Sequence, residues 1–132
     1  MKGSYLLLIK VKKDKLISIG KLGKKHFSKG YYVYVGSALN SIEKRILRHL
    51  SKEKKMHWHI DYFLISGKVI KAFYKKNNIK EECKIAKNLE ESLSPILDFG
   101  SSDCKCQSHL FYGSYKEIID VVQDLKMNNY NL

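Results

Sequence analysis

The sequence predicts an α/β fold: a small central mixed or antiparallel sheet flanked by helices, with an added hairpin and a C-terminal extension. Three observations carry this expectation. Apolar stretches with period-two alternation at residues 5–11, 31–36 and 68–74 read as strands, and segments with helical spacing from Ser41, Lys80 and Tyr115 lie among and after them. The chain has 132 residues, 44% of them hydrophobic, which is enough for one core and too little for two, so residues 1–132 are expected to form a single domain. It contains one proline and shows neither a linker nor an internal repeat.

The elements follow in order. Residues 4 to 12 and 15 to 20 read as a hairpin turning at Lys13-Asp14, and a Gly- and Lys-rich loop runs on to Gly30. In the next strand Tyr32 and Tyr34 point to one face, Tyr31, Val33 and Val35 to the other, and Gly36 is expected to end it. A helix over 41–52, capped by Asn40 or Ser41, carries the apolar stripe Ile42, Ile46, Leu47 and Leu50, with Arg45, Arg48 and His49 on its other side. Residues 57–65 predict a shorter helix and Lys68 to Tyr74 a third core strand. A helix from Lys80 to Leu93 stops before Pro95. A loop through Ser101-Ser102, a strand near Ser108 to Tyr112 and a helix from Tyr115 to about Met127 complete the chain.

Charge indicates the kind of partner. Twenty-five Lys and Arg against 13 Asp and Glu give a net +12, a field that attracts polyanions and makes their binding salt-sensitive. The lysine clusters lie mostly at element ends, so the field is scattered and not one basic tail. The apolar runs fall far short of the ~20 residues of a membrane span, and no membrane partner is expected. Met1-Lys2-Gly3 leads directly into a strand without a signal-peptide pattern, and an odd count of three cysteines fits a reducing cytoplasm, the expected location.

One stretch concentrates chemistry. Tyr34-Val35-Gly36-Ser37-Ala38, then Glu43-Lys44-Arg45 and Arg48-His49, follow an earlier strand opened by Gly3-Ser4-Tyr5. This order resembles the GIY-YIG nuclease family. Segments His57 to Tyr62, Glu82-Cys83 and Phe99 to Phe111 are similar to a mainly archaeal branch of it whose members occur fused to a base-excision glycosylase. Two departures stand out: Ser4 replaces the isoleucine of the family name, and the 28 residues between Tyr5 and Tyr34 are far more than compact members have. A hairpin from Lys15 to Lys29 has to fit between them.

The resemblance implies an endonuclease that hydrolyses DNA phosphodiester bonds, with DNA repair as its setting and DNA favoured over RNA. A phosphodiester transition state spreads negative charge that arginine alone stabilises poorly, so a metal-binding carboxylate is expected as well. Glu82 aligns with Ile85, Ala86 and Leu89 on its helix and so looks inward; its plainer reading is a partner for the positive helix N-terminus. By resemblance Glu82 binds one divalent ion, Mg2+ or Mn2+, and Arg45 holds the phosphate. Tyr5 or Tyr34 orients or deprotonates water, and His49 relays protons. Arg48, Lys54, Lys55 and His57 are candidate nucleic-acid contacts. The alternative is a non-catalytic DNA- or RNA-binding module that keeps the fold.

Two further clusters have plain readings. On a helix His57 and Asp61 share a face, which would allow a metal or phosphate contact, but the favoured reading of His57, His59 and Asp61 is a polar helix start beside Trp58. Cys104, Cys106 and His109 have a C-x-C-x-x-H spacing tighter than the common zinc knuckle, with only Cys83 as a fourth soft donor. Buried structural thiols are expected there, and zinc is not.

Overall fold

The computed structural model describes residues 1–132. Its centre is β1 (Gly3–Val11), a run apolar enough to be buried on both faces. β4 (Gly30–Ala38) and β5 (Lys68–Lys76) pair with its two edges, and all pairings in the six-stranded sheet are antiparallel. β7 (Leu110–Gly113) and the two-residue β6 (Ser94–Pro95) extend the sheet beyond β4, and β8 (Asn128–Tyr130) extends it beyond β5. Pro95 sits on the outermost strand, where a missing N–H costs no ladder bond.

Alternation sorts the side chains as expected. Tyr5, Tyr32 and Tyr34 join one buried cluster, and Leu6, Leu8, Val33 and Val35 the opposite one. Gly36, however, does not end its strand, which continues to Ala38. It pairs with Tyr5, and a Cβ at this position would stand 2.4 Å from the Tyr5 hydroxyl oxygen. The glycine is required by the ring laid against it.

The first predicted hairpin is corrected. β2 (Lys15–Ser18) pairs with β3 (Lys24–Phe27) in a separate ribbon, not with β1, because β4 and β5 occupy both edges of β1. The added hairpin between Lys15 and Lys29 is therefore present as its own two-stranded unit. Through Ile17, Ile19 and Phe27 it covers the tyrosine face of the sheet.

Four helices flank the sheet. α1 (Ile42–Leu50) and the short α2 (His59–Phe63) bury side chains on the tyrosine face; α3 (Glu82–Ser92) and α4 (Tyr115–Asp124) bury theirs on the other. Ser41 caps α1 by accepting from Lys44 N at 3.1 Å. The predicted stripe of α1 is only half right: Ile42 and Ile46 are buried, while Leu47 is 61% exposed and Leu50 39%. His49 takes the inner place, at i+7 from Ile42 and i+3 from Ile46. No helix is long and apolar enough to cross a membrane.

Candidate functional site

Where β1, β4 and α1 meet the start of α3, a groove of about 610 Å3 opens. Tyr5, Tyr34, Arg45, His57, Trp58 and Glu82 all line it. The strands supply the tyrosines, since the alternation that buries Tyr32 also turns Tyr34 and Tyr5 to this face. Arg45 stands one turn into α1, with Nη1 donating to the Ser37 carbonyl at 3.1 Å and Cζ 4.6 Å from the Trp58 ring centre. Glu82 is the first residue of α3 and one-fifth exposed. The next inward residues, Ile85, Ala86 and Leu89, belong to the opposite core, so the helix start carries the carboxylate round the end of the sheet to the groove.

The floor is aromatic and buried. Tyr5 is 1% exposed and its hydroxyl lies 2.7 Å from His49 Nε2. Burial pushes the His49 imidazole down to about 3, with Lys54, Arg48 and Arg45 adding to the effect and Asp61 opposing it. The ring is therefore neutral at ordinary pH. Its Nδ1 is buried without a partner. The Tyr5 and Tyr34 phenols move in the opposite direction, since burial raises both well above the usual value despite the opposing charge of Arg45. Neither is a phenolate near neutrality. These groups hold and direct hydrogen bonds in the groove.

Several predicted contacts turn out to be engaged with the protein itself. Arg48 makes a two-pronged bond to Asp61, at 2.8 and 2.9 Å, and also donates to the Lys55 carbonyl. The Asp61 side chain is fully buried and accepts from the His57 and Trp58 N–H groups as well. Burial acts to raise its pKa, but these donors outweigh it and hold the carboxyl below the usual range. Lys54 closes the end of α1 by donating to the His49 carbonyl at 2.8 Å. Lys55 and His57 are exposed, and only His57 reaches the groove. His59 Nδ1 accepts from Gly100 N at 2.8 Å, so the His57, His59 and Asp61 segment is a structural helix start. A second cleft of about 1030 Å3, lined by seven lysines and touching His49, lies behind α1.

The metal expectation is overturned. Cys83, Cys104, Cys106 and His109 bring one ligand atom each to within 4.8 Å of one another. Three thiols and an imidazole are a soft set that suits zinc and not Mg2+ or Mn2+, which take oxygen donors. Glu82 offers no comparable oxygen cage: its carboxylate faces Lys80 Nζ at 3.8 Å and His109 Nδ1 at 4.0 Å. Burial pushes the Cys83 and Cys106 thiols up and keeps His109 low, so the imidazole is neutral. The sequence held a signal for this site, because all three cysteines of the chain belong to it. Cys83 was visible as a fourth soft donor, but 20 residues separate it from Cys104, and only the fold brings it beside the other three. Gly100, at φ +69°, turns the returning segment beside Tyr34 and His109, joining this cluster to the groove wall.

No curated protein and no solved structure matches the chain. A family match covers residues 4–130 and is described as "Domain of unknown function DUF123". With fold, groove and soft-donor cluster all inside that span, the chain belongs to the DUF123 family.

Proposed function

We propose that this protein is a GIY-YIG-type endonuclease that hydrolyses phosphodiester bonds in DNA, in the setting of DNA repair. The observation that carries the reading is the meeting of Arg45, Tyr5, Tyr34 and Glu82 in one groove, although they are distant in sequence. Arg45 is the cation for the phosphate oxygens, and its charge matters most where water is scarce. The Tyr5 hydroxyl, held by His49, orients the attacking water. A histidine whose burial keeps it neutral positions the phenol and does not store the proton. Glu82 is the carboxylate able to accept the water's proton as oxygen adds to phosphorus. The bond to one nucleotide oxygen then breaks, and that oxygen takes a proton from solvent.

The second reading is a nucleic-acid-binding module that does not cut. It is favoured by the engagement of Glu82 with Lys80 and His109. A panel of single-stranded, duplex and flapped DNA and of RNA, assayed with and without added divalent cation, separates the two. We expect cleavage of at least one DNA substrate and a loss of 100-fold or more, on the order seen for one transition-state donor, in Arg45→Ala. Binding without cleavage across the panel would support the module instead.

A further inference from the structure

The soft-donor cluster lies between two segments that share few polar links. Cys83 stands in the first turn of α3, while Cys104, Cys106 and His109 come from the segment leading into β7. Polar approaches between α3 and this segment are Cys83 Sγ to His109 Nε2 at 3.9 Å and Glu82 Oε2 to His109 Nδ1 at 4.0 Å. The imidazole thus turns one nitrogen to the sulfurs and the other to the groove carboxylate. Cys104 Sγ lies 3.5 Å from the same Nε2.

These separations are those of a ligand shell. Zn–S bonds of about 2.3 Å and Zn–N bonds of about 2.0–2.1 Å in a tetrahedron require S···N near 3.5 Å and S···S near 3.8 Å. The S···N distances found are 3.5 and 3.9 Å, and no pair of donors exceeds 4.8 Å. Side-chain adjustment alone closes the remainder. All four positions are protein ligands, which is the closed set of a structural site and leaves no place for substrate. With metal on Nε2, the remaining proton sits on Nδ1, facing Glu82, the carboxylate–histidine–metal order common around zinc.

We propose that Cys83, Cys104, Cys106 and His109 bind one structural Zn2+ that fastens the start of α3 to the segment leading into β7. The ion clasps the groove wall that carries Glu82, and this role holds whether or not the groove cleaves nucleic acid. Packed free thiols and a disulfide between two of the cysteines are the competing arrangements.

The full chain, purified under reducing conditions, is expected to contain one zinc per molecule. Replacing zinc by Co2+ should give intense sulfur-to-cobalt charge transfer and the strong visible bands of a tetrahedral site. Cys104→Ser should weaken zinc binding at least tenfold. His109→Cys, which keeps four donors and guards against a variant that fails to fold, should retain one zinc with a cobalt spectrum richer in sulfur character. Chelation should raise amide exchange at residues 82–86 and 100–109 at least tenfold while leaving β1 and β4 protected. Less than about a tenth of an equivalent after exposure to zinc, an octahedral cobalt spectrum, a disulfide found by mass spectrometry, or exchange unchanged by chelation would each overturn the proposal. Arg45→Ala tests the cleavage reading separately and is expected to keep its zinc.

Discussion

A single buried contact, Tyr5 to His49, sets much of the groove's behaviour. Its 2.7 Å bond fixes the phenol, while three nearby cations, Arg45, Arg48 and Lys54, oppose charging of the ring. Because the folded pKa is depressed to about 3, the unfolded chain binds a proton below about pH 6.5 that the folded chain refuses. Stability from this source is full above that pH and declines as pH falls toward the folded value, by up to about 1.4 kcal/mol per unit. Asp61, held below the usual carboxylate range, adds a loss in the same direction at lower pH. The melting temperature is therefore expected to fall between pH 7 and pH 4. His49→Gln should reduce the part that begins near pH 6.5, leaving the share of His59 and His109, which burial also lowers, and the more acidic part. Superimposable melting-temperature profiles for parent and variant would show that His49 is not the buried neutral group described.

Within α1 the helix face is decided by position and not by apparent polarity. Ile42, Ile46 and His49 fall on one stripe, and the more apolar Leu47 is turned outward. Urea unfolding should show Ile46→Ala losing about 2–5 kcal/mol, the range for deleting a packed aliphatic side chain. Leu47→Ser should stay within about 0.5 kcal/mol. Equal losses at the two positions would contradict this packing. The joint between α1 and α2 is the Arg48–Asp61 pair, and removing Arg48 strands a carboxylate with no exposure. Arg48→Ala is expected to cost about 3–5 kcal/mol, the range for breaking a buried pair. A loss under about 1 kcal/mol would place the pair among weak surface contacts.

Across the whole molecule, the net charge of +12 accompanies two clefts, one behind α1 that His49 touches and the other the groove lined by Tyr5 and Arg45. One cleft is lined by seven lysines, the other by Arg45 and Lys80 beside aromatic rings. A nucleic acid bound across them would displace counterions from several phosphates. Affinity for duplex DNA is expected to fall by about 1000-fold or more between roughly 50 and 200 mM salt if six or more phosphates are contacted. Fluorescence anisotropy over that range measures the slope. A flat response would remove nucleic acid as the partner.

Local periodicity determined the long strands, the helices and which tyrosines share a face, because side-chain direction alternates along a strand whatever surrounds it; the short β3, read as loop, and β6 and β8 carried no such signal. The cap at Ser41, the stop before Pro95 and the inward turn of Ile85, Ala86 and Leu89 are local in the same sense. Pairing between segments was decided only by the fold: β2 turned to β3 because both edges of β1 were occupied. His49 went inward because Tyr5 offered a buried partner, and Arg48 was drawn to Asp61, contacts 44 and 13 residues apart in the chain. The metal-binding set depended on a reach of 26 residues, since Cys83 meets His109 only once α3 and the approach to β7 are laid side by side. A sequence lists such donors by type, but their distances are set by the packing of a sheet and helices that no local pattern encodes.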